Sequence, residues 1–384
     1  MSKHRITYIG LLLLASLVIR YLLLGMVVSD NFEWVRLTAI AIIMIFGVFF
    51  VLKGTASIIE ETTEVLSERT KIAGGVLQSI GTAFPDMVLG IVAALMSLKI
   101  RGTNINEAVN LAIIAAATTF GSNIYNIGFG AWCVWRQNLA NFKNKKIMMF
   151  PMLGKLGYVL PINEHQIRPE LKELDTSLDI LNTLTLLTAI VAICMVFFGK
   201  VDKSMITMDG DLYQLIKPVG IFVALISLLV IYHFRKNQRP QSPRSEIVFE
   251  EKYFRHKTTI TILMALALSG IAILLTAESM VESIRVLSML TGIPTIITGI
   301  TAGIIGCLGE MLVIYKFTIN PHGRIGDAVV GIAMDNIITT FGASLVAIMG
   351  GIFLGGNALI VIFVIILTLN STLIWQISKL KNVL

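Results

Sequence analysis

The chain has 384 residues, 55% of them hydrophobic and 14% charged, and its mean hydropathy is +0.81. Soluble domains carry about 25% charged residues, so this composition excludes a water-soluble surface. The net charge of +7 does not point to nucleic acid, because the basic residues sit in the connections between apolar runs.

Ten apolar runs long enough to cross a hydrocarbon core are predicted as helices at about 6–28, 37–65, 72–98, 108–135, 180–198, 214–234, 258–290, 293–317, 326–353 and 357–377. Backbone polar groups inside lipid must be satisfied within the segment, which favours helices. The runs are continuous rather than alternating, which excludes a β-barrel. The first run follows Lys3, His4 and Arg5. It is long and lacks a clear small-residue cleavage site, so it reads as an anchor rather than a signal peptide. Cys133, Cys194 and Cys307 lie in apolar stretches without metal or disulfide spacing, and the five histidines fall in loops or at helix ends. No cofactor is expected, and no intramembrane histidine is available for an enzyme.

Basic residues set the orientation. Segment 136–179 carries Arg136, Lys143, Lys145, Lys146, Lys155, Arg168 and Lys172, and segment 235–257 carries a further seven. With ten spans these two segments and both termini share one side, predicted to be cytoplasmic, in the plasma (cell inner) membrane. The expected organisation is an extra N-terminal helix (1–36), a first repeat (37–135), a cytoplasmic loop (136–179), two further helices (180–234), a cytoplasmic linker (235–257), a second repeat (258–353), and a last helix with a cytoplasmic tail (354–384).

The two repeats echo each other. Ile80-Gly81-Thr82-Ala83-Phe84-Pro85-Asp86-Met87 and Ile304-Ile305-Gly306-Cys307-Leu308-Gly309-Glu310-Met311 each place a helix breaker before a carboxylate at mid-span. Tyr125-Asn126-Ile127 pairs with Asp335-Asn336-Ile337 in the following span. The predicted directions of the two halves are opposite. The fold class expected is therefore all-α integral membrane, with two inverted-topology repeats and interrupted helices at the midplane. Secondary transporters place ion sites at such points. A carboxylate near the bilayer centre is costly, and hard oxygens suit Ca²⁺ and Na⁺. Asp86 and Glu310 are the predicted metal ligands. Thr82, Ser122, Asn126 and Asn336 are predicted to complete the ion site. Asp335 reads either as facing an aqueous vestibule or as taking the ligand role of Asn336.

At these residues the chain resembles the sodium/calcium exchanger (cation/calcium antiporter) superfamily. Gly81-Thr82-Ala83-Phe84-Pro85-Asp86 looks like its Gly-Thr-Ser-x-Pro-Glu/Asp signature, and Gly121-Ser122-Asn123-Ile124-Tyr125-Asn126 matches its Gly-Ser-Asn-x-x-Asn in full. Lys53–Glu60 and Ala277–Glu282 look like the stretch preceding each signature. The second repeat departs from the pattern, with Gly306, Cys307 and Gly309 where the signature has Thr, Ser and Pro. A Gly before the acid resembles the cation/calcium exchanger branch. The resemblance implies a secondary active antiporter exchanging Ca²⁺ for Na⁺ by alternating access. A Ca²⁺/H⁺ or other cation/H⁺ antiporter and a transport-inactive ion-binding homologue are the alternatives.

Overall fold

The computed structural model describes residues 5–29, 32–70, 74–165, 168–201, 211–237, 253–319, 325–350 and 353–384. Each of the ten expected segments falls on a helix. The first combines α1 (Arg5–Val18), a π-helical turn (Ile19–Leu23) and α2 (Leu24–Val28). The second combines α3 (Glu33–Phe46), a π-helical turn (Gly47–Leu52) and α4 (Lys53–Thr70). Then follow α5 (Gly74–Ile100), α6 (Ile105–Lys143), α7 (Leu171–Phe198), α8 (Lys217–Asn237), α9 (Thr259–Thr291), α10 (Thr295–Ile319), α11 (Ile325–Ile348) and α12 (Gly356–Lys381). Among the described residues seven helices are long and apolar enough to cross a membrane, and three shorter apolar stretches lie in α5, α8 and α10. The chain is an all-α, multi-span membrane protein.

Local chemistry sets the helix ends. Asn104 caps α6 by accepting from the Glu107 amide at 3.1 Å, as short polar side chains do at N-caps. Glu170 and Glu173 form a capping box that starts α7. Gly292 ends α9 in the left-handed region at φ +68°, a conformation open to glycine at little cost. Pro294 follows, and the chain turns directly into α10.

Two expectations are corrected. First, the predicted interruptions at Pro85-Asp86 and Gly309-Glu310 are absent from the backbone: α5 and α10 are each one unbroken α-helix. Proline lacks an amide hydrogen, so Pro85 deprives one carbonyl, that of Gly81, of its helical partner without unwinding the segment. Glycine costs a helix only modestly, and tertiary packing outweighs that. Second, α-helix reaches into both ends of segment 136–179, leaving 144–170 as the connection between them. α6 continues to Lys143, and α7 begins at Leu171. The extra turns of α6 are polar and gain specific partners. Gln137 donates to the Leu160 carbonyl at 2.8 Å, and Asn138 donates to the Gln376 carbonyl at 2.8 Å. Between them, β1 (Ile147–Met148) and β2 (Tyr158–Val159) form an antiparallel hairpin.

α6 lies at the centre, buried along most of its length. Its small residues, with those of α10, allow backbones to approach, a device common in membrane helix packing. Gly299 and Gly303, a Gly-x-x-x-Gly pair on α10, face Ala117 and Ser122 of α6 in increasing order, so the two helices run parallel. α5 runs antiparallel to α6: Ser97 donates to the Ala108 carbonyl at 2.6 Å, and Gly90 packs on Thr119.

The bundle has two distinct ends. At one, Arg5 faces Glu61 at 3.4 Å, Lys381 pairs with Asp175 at 2.5 Å, and the β1–β2 hairpin caps α6. Both ends of the described chain lie there. At the other, β3 (Leu212–Gln214) pairs with β4 (Phe353–Gly355). Arg101 sits over the Phe353 ring there, and Arg285 joins Glu107 of α6 to Glu282 of α9.

Candidate ion-binding site

Ser122 and Asn126 stand four residues apart on α6, hence on one face, and both are buried. The motif glycine before them has a packing role: a Cβ at Gly121 would stand 3.0 Å from the Ile300 backbone. α11 supplies Asp335 and Asn336, also buried. Ile332 of α11 packs on Gly130 of α6, and α11 runs antiparallel to α6. One turn along each helix from that contact, Asn336 comes level with Asn126.

The same register locates the two expected carboxylate positions along the bundle. Gly90 packs on Thr119, so Asp86, one turn earlier on α5, is level with Asn123. Gly303 is level with Gly121, so Glu310, two turns later on α10, is level with Gly128. The two backbone levels differ by five residues of α6, about 8 Å at 1.5 Å per residue, and Asn126 lies between them. The side chains of Thr82, Asp86 and Glu310 lie outside the described residues, so the expected carboxyl–carboxyl approach does too.

The described part of this slab is rich in oxygen acceptors. Asn336 donates its amide to the Ile332 carbonyl at 2.7 Å, while its Oδ1 has no hydrogen-bond donor among the described residues. Asn123 Oδ1 is buried in the same condition. Such an orphaned acceptor is costly in a low-dielectric interior, and a cation would relieve the cost. Thr118 and Thr119 donate back to the α6 backbone, and Thr339 and Thr340 to the carbonyls of Asp335 and Asn336. Their hydroxyl lone pairs remain as acceptors. Among the described residues, no three or more His, Cys, Asp or Glu side chains gather as a metal cluster. The described donor set is amide and hydroxyl together with the buried Asp335 carboxylate.

Several acids are engaged elsewhere. Glu278 pairs with Arg20 at 2.7 Å, and Glu282 with Arg285. Glu278 thus ties α9 to the first helical segment, while Glu282 holds Arg285 of its own helix, which reaches Glu107 of α6. Glu61 is largely covered. It faces Arg5 and accepts from the Phe254 amide at 3.1 Å. Sequence reasoning missed Asn123 and Thr118 as site neighbours. Thr118, Ser122 and Asn126 are spaced by four, and that period was the available signal.

No family model matches the sequence, and no curated protein matches it. Among solved structures, the chain is similar to an H⁺/Ca²⁺ exchanger, CAX. The TM-score is 0.57 at 12% identity, covering 97% of this chain and 94% of that one. It is also similar to YfkE, with TM-score 0.50 at 13% identity, covering 97% of this chain and 98% of that one. At such identity what is shared is the architecture, and over nearly its whole length this chain has the same fold as those two proteins.

Proposed function

We propose that the chain is a secondary active cation antiporter, not an enzyme, that exchanges Ca²⁺ for Na⁺ by alternating access. The observation that carries this reading is the level placement of Asn126 and Asn336 on antiparallel helices, with Asn336 Oδ1 buried and lacking a donor. Asp86 and Glu310 are read as the charged ligands, with Thr82, Ser122, Asn126, Asn336 and Asp335 around them. Two carboxylates balance one Ca²⁺ or two Na⁺, and shared ligands force the ions to compete. Two inverted repeats, at 37–135 and 258–353, are supported by the parallel course of α6 and α10, which belong to different halves. The end bearing Lys143, Lys145 and Lys146 is read as cytoplasmic, with both termini on that side of the plasma (cell inner) membrane.

A second reading, Ca²⁺/H⁺ exchange, is favoured by one observation. Gly306, Cys307 and Gly309 leave the second signature without hydroxyl ligands, which suits a proton better than a coordinated Na⁺. The fold likeness to an H⁺/Ca²⁺ exchanger agrees with it. Radiolabelled Ca²⁺ uptake into proteoliposomes distinguishes the two. Uptake driven by an outward Na⁺ gradient at equal pH is the expected result. Uptake driven only by a pH gradient would establish the second reading, and uptake under neither would reject both.

A further inference from the structure

The connection between α6 and α7 presents a face that ion exchange does not use. From Arg136 to Asn163 the sequence holds five basic residues and no Asp or Glu. Side chains alternate across strands, and the hairpin is two-faced accordingly. Ile147, Met149 and Val159 are buried against the bundle, while Met148 and Tyr158 are exposed. Beyond them Met152 is 96% exposed and Leu153 54%, and Leu156 is exposed as well. This tip is anchored. Phe150 stacks on Trp132 and Tyr315 with ring centroids 6.2 and 6.3 Å apart. Arg136 donates to the Met148 carbonyl, and the Tyr315 hydroxyl donates to the Leu156 carbonyl.

Depth decides what covers the tip. α6 has 39 residues, about 58 Å at 1.5 Å per residue. That exceeds the ~40–45 Å of a bilayer with its headgroups. The hairpin folds back along α6, bringing Phe150 beside Trp132. Trp132 lies about 40 Å along α6 from Ile105; with Ile105 set at the far headgroup surface, the tip falls at headgroup depth on the near side. Lys143, Lys145 and Lys146 are exposed and lie farther out, with Lys146 over the Tyr158 ring at 4.4 Å. An apolar tip beneath a row of lysines fits one surface, the anionic interface of the membrane that the helices cross.

We infer that the hairpin is a lipid-contacting wedge: Met152, Leu153 and Leu156 enter the interface, and Lys143, Lys145 and Lys146 meet anionic headgroups. Through Tyr315 the wedge is tied to α10, the helix that carries Glu310. The inference rests on membrane crossing alone and is independent of the ion transported.

The test is a nitroxide on Met152→Cys, a side chain so exposed that the substitution disturbs no packing. Cys133 and Cys307 are buried, and Cys194 is changed to Ser. The protein is placed in vesicles of phosphatidylcholine alone or with one quarter phosphatidylglycerol. Collisions with oxygen, which partitions into lipid, are compared with collisions with a water-soluble nickel chelate. At position 152 oxygen should dominate several-fold, while a label on Asn382→Cys should show the reverse. Changing Lys143, Lys145 and Lys146 together to Gln should raise chelate access at 152 in the anionic vesicles only. Chelate access at 152 equal to that at 382 would overturn the wedge, whether the tip faced solvent or an aqueous vestibule. Protection that ignored both the lysines and the anionic lipid would overturn the headgroup contact.

Discussion

Gly303 of α10 lies directly against Ser122 of α6: a Cβ at Gly303 would stand 2.7 Å from the Ser122 nitrogen and 2.8 Å from the Thr118 carbonyl oxygen. Both atoms belong to helix backbone, so neither can swing away. The close crossing sets the height of Glu310 against Asn126, because Glu310 lies two turns beyond Gly303 on the same helix.

Gly303→Ala should therefore force α6 and α10 apart. Overpacking costs about 1–3 kcal/mol, and here the strain falls on the helix pair that carries the proposed ligands. The expected outcome is a lower melting temperature in detergent together with lost Ca²⁺ uptake. Gly331→Ala is the control, because nothing lies within 4 Å of a Cβ there. Equal melting temperatures for the two variants would show that the crossing tolerates a methyl group.

The carboxylates are tested by removing charge while keeping size. Asp86→Asn and Glu310→Gln each delete one negative charge. The Coulomb attraction lost is twice as large for Ca²⁺ as for Na⁺. Either change should abolish Ca²⁺ flux and leave membrane insertion unaffected, since a neutral amide is cheaper to bury than a carboxylate. Flux at the parental rate in both variants would reduce the likeness to one of fold alone.

The sequence made the helices legible because apolar runs of bilayer length leave few alternatives. It made the motif residues legible because Gly121-Ser122-Asn123 and Pro85-Asp86 are unusual inside such runs. It did not reveal that α6 extends to Lys143, since Gln137, Asn138 and Asn141 look like loop residues until Leu160, Gln376 and Ile162 supply their partners. It also overstated the breaking power of Pro85 and Gly309, whose local cost is small beside the packing of a whole helix. The pairing of Glu278 with Arg20 was hidden because the two residues are 258 positions apart.

Sidedness can be read with an impermeant thiol reagent. Thr103 lies at the end with β3 and β4, while Asn144 and Asn382 lie at the hairpin end. Added outside intact cells, the reagent should label Thr103→Cys and spare Asn144→Cys and Asn382→Cys. Labelling of the Asn144→Cys variant from outside would reverse the proposed orientation.

Asn336 separates ion binding from packing. Its amide nitrogen has a backbone partner at 2.7 Å, but its Oδ1 has no donor among the described residues. Leucine has the same four side-chain heavy atoms, branched at the same carbon, and carries no polar atoms. Removing a poorly satisfied buried amide is close to neutral for the fold, so Asn336→Leu should melt at the parental temperature, or above it, when Ca²⁺ is absent. A ligand that binds only the native state stabilises it by about 2.7 kcal/mol at a hundredfold excess over its dissociation constant. The parent should therefore gain melting temperature as Ca²⁺ is titrated, and Asn336→Leu should gain much less at every concentration. An equal Ca²⁺-dependent gain in the two proteins would remove Asn336 from the ion site. A lower melting temperature for Asn336→Leu without Ca²⁺ would assign the amide a structural role instead.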